Sequence, residues 1–178
     1  MIDINILHYF LVLQVWHMVD GIFLSQPKYT LDFLAWFHMS DCKPSPRPFH
    51  TWVKVIVDCD SPLVDATLYH QLVYSLIYLT HINLYISLFV IMFSRFMQNP
   101  HDSHWKEAKT ILTYLQGTLN YCVCYSNKTL VSLLGYIDSN QEGDATSRLY
   151  IALYVFQIGL GPICWSSKIF RALSLCSC

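Results

Sequence analysis

The sequence predicts an α+β chain: a helical centre with strands on both sides. Three observations point there. From Tyr69 to Gly117 apolar residues recur at helical spacing, with a break at Asn99-Pro100. After Leu119 the pattern shortens to that of strands separated by turn residues. Near the N-terminus, Asp20-Gly21 divides two short apolar runs, which is a hairpin signal.

Taken in order, Ile6–Trp16 is rich in aromatic and branched side chains and leads into Asp20-Gly21. Both positions of a tight hairpin turn need positive φ, so this dipeptide is expected at the turn, with Ile22-Phe23-Leu24 returning. Tyr29–Met39 reads as a short helix with Leu31, Leu34 and Phe37 on one face. Pro44, Pro46 and Pro48 make a stiff, extended linker. Residues 49–60 read as a strand or an irregular connection. Asp60 and Ser61 precede Pro62, which suits the first turn of a helix.

The next stretch has two readings. Leu72–Phe93 carries no charged residue and is long enough to cross a bilayer. The other reading is a buried pair of core helices. Beyond Asn99-Pro100, Asp102 and Ser103 are expected to cap a further helix. That helix would place Trp105, Ala108, Ile111, Leu112 and Leu115 on one face and end with Gly117 in the left-handed conformation. The centre is therefore expected to be a helical hairpin. His101 and His104 have the spacing of paired ligands, but no third ligand is nearby, so they are read as helix-start residues.

The C-terminal strands are expected at Tyr121–Tyr125, Leu130–Asp138, Tyr150–Gly159 and Ile163–Ser166. Turns fall at Ser126-Asn127, Gln141–Gly143 and Gly159–Gly161.

Composition narrows the function. Hydrophobic residues make up 54% of the 178 and charged residues 13%, with a mean hydropathy of +0.36. The net charge of −1 argues against a free-standing nucleic-acid binder, which carries a basic surplus. Seven cysteines are present, but Cys122-x-Cys124 and Cys176-x-Cys178 are too tightly spaced for a zinc knuckle. They read as reduced thiols, favouring a cytoplasmic or nuclear chain. Met1–Leu7 lacks the basic start of a secretory signal.

Several ordered stretches carry a family resemblance. They are Leu7-His8-Tyr9-Phe10-Leu11, Gly21-Ile22-Phe23-Leu24-Ser25-Gln26, Lys28-Tyr29, Ser75-Leu76-Ile77-Tyr78-Leu79-Thr80, Ser94-Arg95-Phe96-Met97, Asn99-Pro100, Gly117-Thr118-Leu119, Gly135-Tyr136-Ile137-Asp138-Ser139 and Trp165-Ser166-Ser167-Lys168. Together they resemble the Pol polyprotein of copia-type LTR retrotransposons, where reverse transcriptase ends and ribonuclease H begins. The resemblance implies three parts: residues 1–60 as the end of reverse transcriptase, 61–118 as connecting helices, and 119–178 as an incomplete ribonuclease H-like sheet. It places the polymerase's paired aspartates before Met1. Val12 stands where the family commonly has glycine. Asn83-Leu84-Tyr85 stands where it commonly has a helix-breaking Arg-Pro-Asp, so the run through Leu72–Phe93 is expected to be unbroken.

The same resemblance implies chemistry. Ribonuclease H uses two magnesium ions held by several carboxylates. Asp138 would be the catalytic residue and metal ligand, left as the vestige of an incomplete site. The family's Asp-Trp landmark is here Asn140-Gln141, and its Ser-Thr-Ser-Gly run is Tyr150-Ile151-Ala152-Leu153. Its Glu-Ala-Glu signature would begin at Ser177. Lys106 and Lys109 remain from a basic, nucleic-acid-facing helix, whereas Thr110, Thr113 and Gln116 replace cations. The expectation is a degenerate Pol fragment without activity, without bound Mg2+, and with weak affinity for an RNA–DNA hybrid. The alternatives are a small membrane-associated protein using Leu72–Phe93, or a non-catalytic module that binds retroelement Pol proteins. The C-terminal sheet is expected to leave Leu133, Val155, Phe156 and Trp165 uncovered.

Overall fold

The computed structural model describes residues 7–49, 61–128, 132–141, 149–159 and 161–171. The fold is α+β, with four helices and two antiparallel sheets among the described residues. Most of the 49–60 segment, the Gln141–Gly143 turn beyond Gln141 and the Ser177 signature lie outside the described residues.

The N-terminal sheet begins with β1 (Tyr9–Phe10), β2 (Leu13–Met18) and β3 (Gly21–Ser25). The hairpin forms as expected, but Met18 pairs with Gly21, so Val19 and Asp20 make the turn. Gly21 is needed for another reason. Its φ is +145°, and a Cβ there would lie 2.2 Å from the carbonyl oxygen of Tyr125. Only glycine admits so close a neighbouring backbone. That neighbour is β4 (Val123–Ser126), which pairs antiparallel with β3. The strand expected at Tyr121–Tyr125 thus forms, but it joins the N-terminal sheet rather than the C-terminal one.

A second tight turn explains Val12. Phe10 pairs with Leu13, leaving Leu11 and Val12 as a two-residue loop with φ of 45° and 68°. Both positions lie in the left-handed region, where a β-branched residue is strained and glycine is at ease.

Helix α1 (Pro27–Trp36) starts with its proline in the first turn. Its buried face is Thr30, Phe33 and Leu34, while the expected core residue Leu31 is exposed. The chain then runs along the last helix. The Ser45 amide donates to the Thr113 carbonyl, and Phe49 is buried in the core.

Three helices form the centre: α2 (Ala66–Leu79), α3 (Leu84–Ser94) and α4 (Asp102–Gly117). The Leu72–Phe93 run is therefore broken into a pair of core helices, the second of its two readings, and is not the unbroken span that Asn83-Leu84-Tyr85 suggested. At the break, Thr80 Oγ1 donates to the Ile77 carbonyl at 2.6 Å and His81 Nδ1 lies 2.7 Å from the Tyr78 carbonyl. These local bonds satisfy the end of α2, and Asn83 begins α3. Helix α3 is apolar all round because it has partners on two sides, the other helices and the last strand. No helix among the described residues is long and apolar enough to cross a membrane.

The caps differ in detail from those expected. Asp65, not Asp60 or Ser61, caps α2 by accepting from the Thr67 amide at 2.8 Å. His101, not Asp102 or Ser103, precedes α4, and its amide donates to His104 Nδ1 at 3.1 Å. The two histidines thus serve as helix-start residues. Gly117 ends α4 without a left-handed φ; instead it lets Pro44 come close.

The core gathers Phe33, Leu34, Tyr69, Leu72, Leu76, Ile86, Phe93, Ile111 and Leu112 between α1 and the three central helices. Tyr69 donates its hydroxyl to the Phe93 carbonyl at 2.9 Å, tying α2 to the end of α3. Burial pushes the Tyr69 phenol well above the usual tyrosine range.

The second sheet is a meander of β5 (Leu133–Gln141), β6 (Leu149–Ile158) and β7 (Gly161–Arg171). One face turns to the helices. Trp165 donates its indole N–H to the Thr80 carbonyl at 3.0 Å, and Val155 pairs beside it. The expectation that Val155 and Trp165 lack cover fails for this reason. Leu133 and Phe156, on the opposite face, are exposed as expected.

Candidate functional site

Asp138 lies on β5, in register with Leu153 of β6, which in turn faces Ser167 of β7. By strand alternation it shares a face with Tyr136, Val155 and Trp165. It is exposed, beyond the part of that face covered by helices. No other residue of β5, β6 or β7 is a carboxylate. Among the described residues, no three His, Cys, Asp or Glu side chains come together as a metal site. Hard divalent cations need several oxygen ligands, so the described residues placed around Asp138 do not by themselves fit a magnesium pair.

Lys106 and Lys109 both lie on α4. Lys106 pairs with Asp102 one turn earlier at 2.5 Å, and its side chain is well exposed. Lys109 sits over the Trp105 ring, 5.5 Å from its centroid. The neutral residues beside them face the proline linker. Thr110 Oγ1 lies 3.3 Å from the Pro48 carbonyl, and Gln116 Nε2 donates to the Ser40 carbonyl at 2.9 Å. Thr110 and Gln116 thus help seat residues 40–48 on the helix. Asp138 and the two lysines belong to different elements, and no described contact joins them.

Sequence reasoning missed a cavity of about 410 Å³ where the two sheets meet the helices. It is lined mainly by apolar side chains, among them Leu79, Leu119, Val155 and Pro162. Gln26 and Asn83 also line it, and each stands just before a helix without capping it through its side chain. A glutamine in an N-cap position was the available signal, since shorter Ser, Thr, Asp or Asn side chains are the usual caps.

A retrovirus-related Pol polyprotein from transposon RE2 of Arabidopsis thaliana is 36% identical over 162 residues, covering 91% of this chain and 11% of that protein. The Pol polyprotein from transposon TNT 1-94 of Nicotiana tabacum is 32% identical over 161 residues, covering 86% of this chain and 12% of its own length. An uncharacterized mitochondrial protein of Arabidopsis thaliana is 28% identical over 166 residues, covering 93% of this chain and 69% of that protein. The chain thus spans about a ninth of the length of the Pol polyproteins it matches. No family model matches it, and no solved structure does.

Proposed function

The chain is homologous over 91% of its length to a segment of copia-type retrotransposon Pol polyproteins, and we propose that by itself it is a non-catalytic piece of that machinery. In this reading it supplies the connecting helices and three strands of a ribonuclease H-like sheet. It does not cleave the RNA of an RNA–DNA hybrid.

One observation carries the reading: Asp138 is the single carboxylate on β5–β7, and the residues in line with it are Leu153, its partner on β6, and Ser167, the partner of Leu153 on β7. Hydrolysis by two magnesium ions requires carboxylates that bring both metals to one phosphate. Neither Leu153 nor Ser167 can take that part, and Asp138 alone cannot hold two metals. Affinity for the hybrid is weak in the same reading. Lys106 is already paired with Asp102, and Thr110 and Gln116 are turned to the linker instead of to phosphate.

The test is cleavage of a labelled RNA–DNA hybrid by the purified full chain in magnesium or manganese, with an intact Pol protein as positive control. The expected result is no cleavage by wild type or by Asp138→Asn. Cleavage by wild type that Asp138→Asn abolishes would overturn the proposal.

A further inference from the structure

We propose that the open edge of the second sheet is a pairing surface for a second copy of this chain. Strand β5 of one copy runs antiparallel to β5 of the other, about a two-fold axis at Ile137. This pairing does not rest on the Pol reading, because it uses only the backbone and the pattern of one strand.

Strand β5 is the edge of its sheet. The Gly159 amide donates to the Ser132 carbonyl at 3.0 Å, one position before Leu133 pairs with Ile158. Antiparallel partners alternate between bonded and non-bonded pairs, so Leu134, Tyr136, Asp138 and Asn140 turn their backbone groups to β6. The N–H and C=O groups of Leu133, Gly135, Ile137, Ser139 and Gln141 then point outward, with no strand beside them among the described residues. The other edge differs. Gly161 of β7 lies against the Cys124 carbonyl of β4, and Tyr125 donates its hydroxyl to the Pro162 carbonyl.

A long edge is normally guarded by lysine, proline or a bulge. Leu133–Gln141 contains neither lysine nor proline. Its register with β6 is unbroken, and the one irregularity of the sheet lies between β6 and β7. Leu133 through Asp138 are all exposed, Leu133 at 66% and Ile137 at 80%. The Phe156 ring lies over Gly135, so the apolar face continues to the edge itself.

The strand's own sequence selects the occupant. With Ile137 opposite its copy, Leu133 faces Gln141 and Gly135 faces Ser139, so all nine residues overlap and the two outward rows bond each other. Such a self-complementary contact closes at two copies. Asp138, the one charge of β5, then lies opposite Tyr136. Moving the axis to Asp138 would set the two carboxylates directly against each other, which like charges oppose.

Sedimentation equilibrium of the full chain is expected to show monomer and dimer with a micromolar dissociation constant, because one strand edge buries less than a standard interface. Ile137→Lys sets like charges together on the axis and is expected to weaken the dimer at least about tenfold. Val19→Lys makes the same charge change at the 91% exposed turn of the first sheet and is expected to stay within about twofold of wild type. Amide exchange reads the pairing directly. Below the dissociation constant β5 is a bare edge; above it, exchange at Leu133, Gly135, Ile137 and Ser139 should slow far more than at Tyr136 and Asp138. A chain still monomeric at about 300 µM would overturn the proposal. So would assembly that continues past the dimer, or a dimer that Ile137→Lys weakens no more than Val19→Lys does. Should Ile137→Lys fail to fold, the wild-type exchange pattern decides: outward amides protected equally at every dilution would mean that something other than a second copy holds the edge.

Discussion

Val12→Gly is expected to stabilise the protein. Val12 has φ of 68° in the two-residue turn between β1 and β2. A left-handed φ costs an L-residue about 1–2 kcal/mol, and β-branching worsens it. Glycine removes that strain but brings back about 0.5–1 kcal/mol of backbone flexibility. The half-buried valine side chain contributes little else that glycine would lose. The net gain is therefore about 1 kcal/mol, equivalent to a rise of about 2–4 °C in Tm for a chain of this size. Urea and thermal unfolding of the full chain measure it. Val12→Ala separates the causes, because alanine loses the branch but keeps the positive-φ penalty, and it should recover less than half the gain. Leu11→Asn together with Val12→Gly should exceed the single change, since Asn-Gly is the preferred pair in such a turn. If Val12→Gly destabilises the chain, or Val12→Ala matches it, backbone strain is not what limits this hairpin.

Other consequences follow from named contacts. Gly21→Ala should cost more than about 2 kcal/mol and detach β4, because the added Cβ would meet the Tyr125 carbonyl at 2.2 Å and unseat the β3–β4 bonds; amide exchange at Cys124 and Tyr125 reads this out. Tyr69 gives an alkaline limit. Its folded pKa is raised by burial, so its contribution is fully present below the ordinary tyrosine value of 10.0 and is lost as pH rises above it. Tyr69→Phe should flatten the fall in stability above that value, at a cost of about 1 kcal/mol for the lost bond to Phe93. A pH series of urea midpoints checks both.

Much of the fold was legible because local signals were strong. Asn99-Pro100 does fall in the break between α3, which ends at Ser94, and α4, and the apolar spacing of Ala108, Ile111, Leu112 and Leu115 matches the buried face of α4. What stayed hidden depended on partners distant in sequence. The 121–125 strand carries no mark telling it to pair with β3 rather than β5; the register is set by Gly21 giving way to Tyr125. The break at 80–83 lacks proline and glycine, so the sequence leaves a continuous span and a helix pair both open, and the bonds of Thr80 and His81 back onto the carbonyls of α2 decide for the pair. Trp165 looked stranded without a following helix, yet it reaches the end of α2. As for the site, Asp138, Lys106 and Lys109 were found by resemblance. The roles of Thr110 and Gln116 in seating the linker needed coordinates, as did the unpartnered amide of Gln26.

Both sheets attach to a helical hub, the second through one face only. Residue-resolved hydrogen exchange of the chain tests this most directly. Tyr69, Leu72, Leu76, Ile111 and Leu112 should show the slowest exchange, because they form the core. Val155 and Trp165 should be intermediate, and β5, whose Leu133 and Ile137 are exposed, should be the fastest of the three strands. Protection along β5 equal to that of α2 and α4 would show a C-terminal sheet that is stable in its own right, and the hub would not be what holds this chain together.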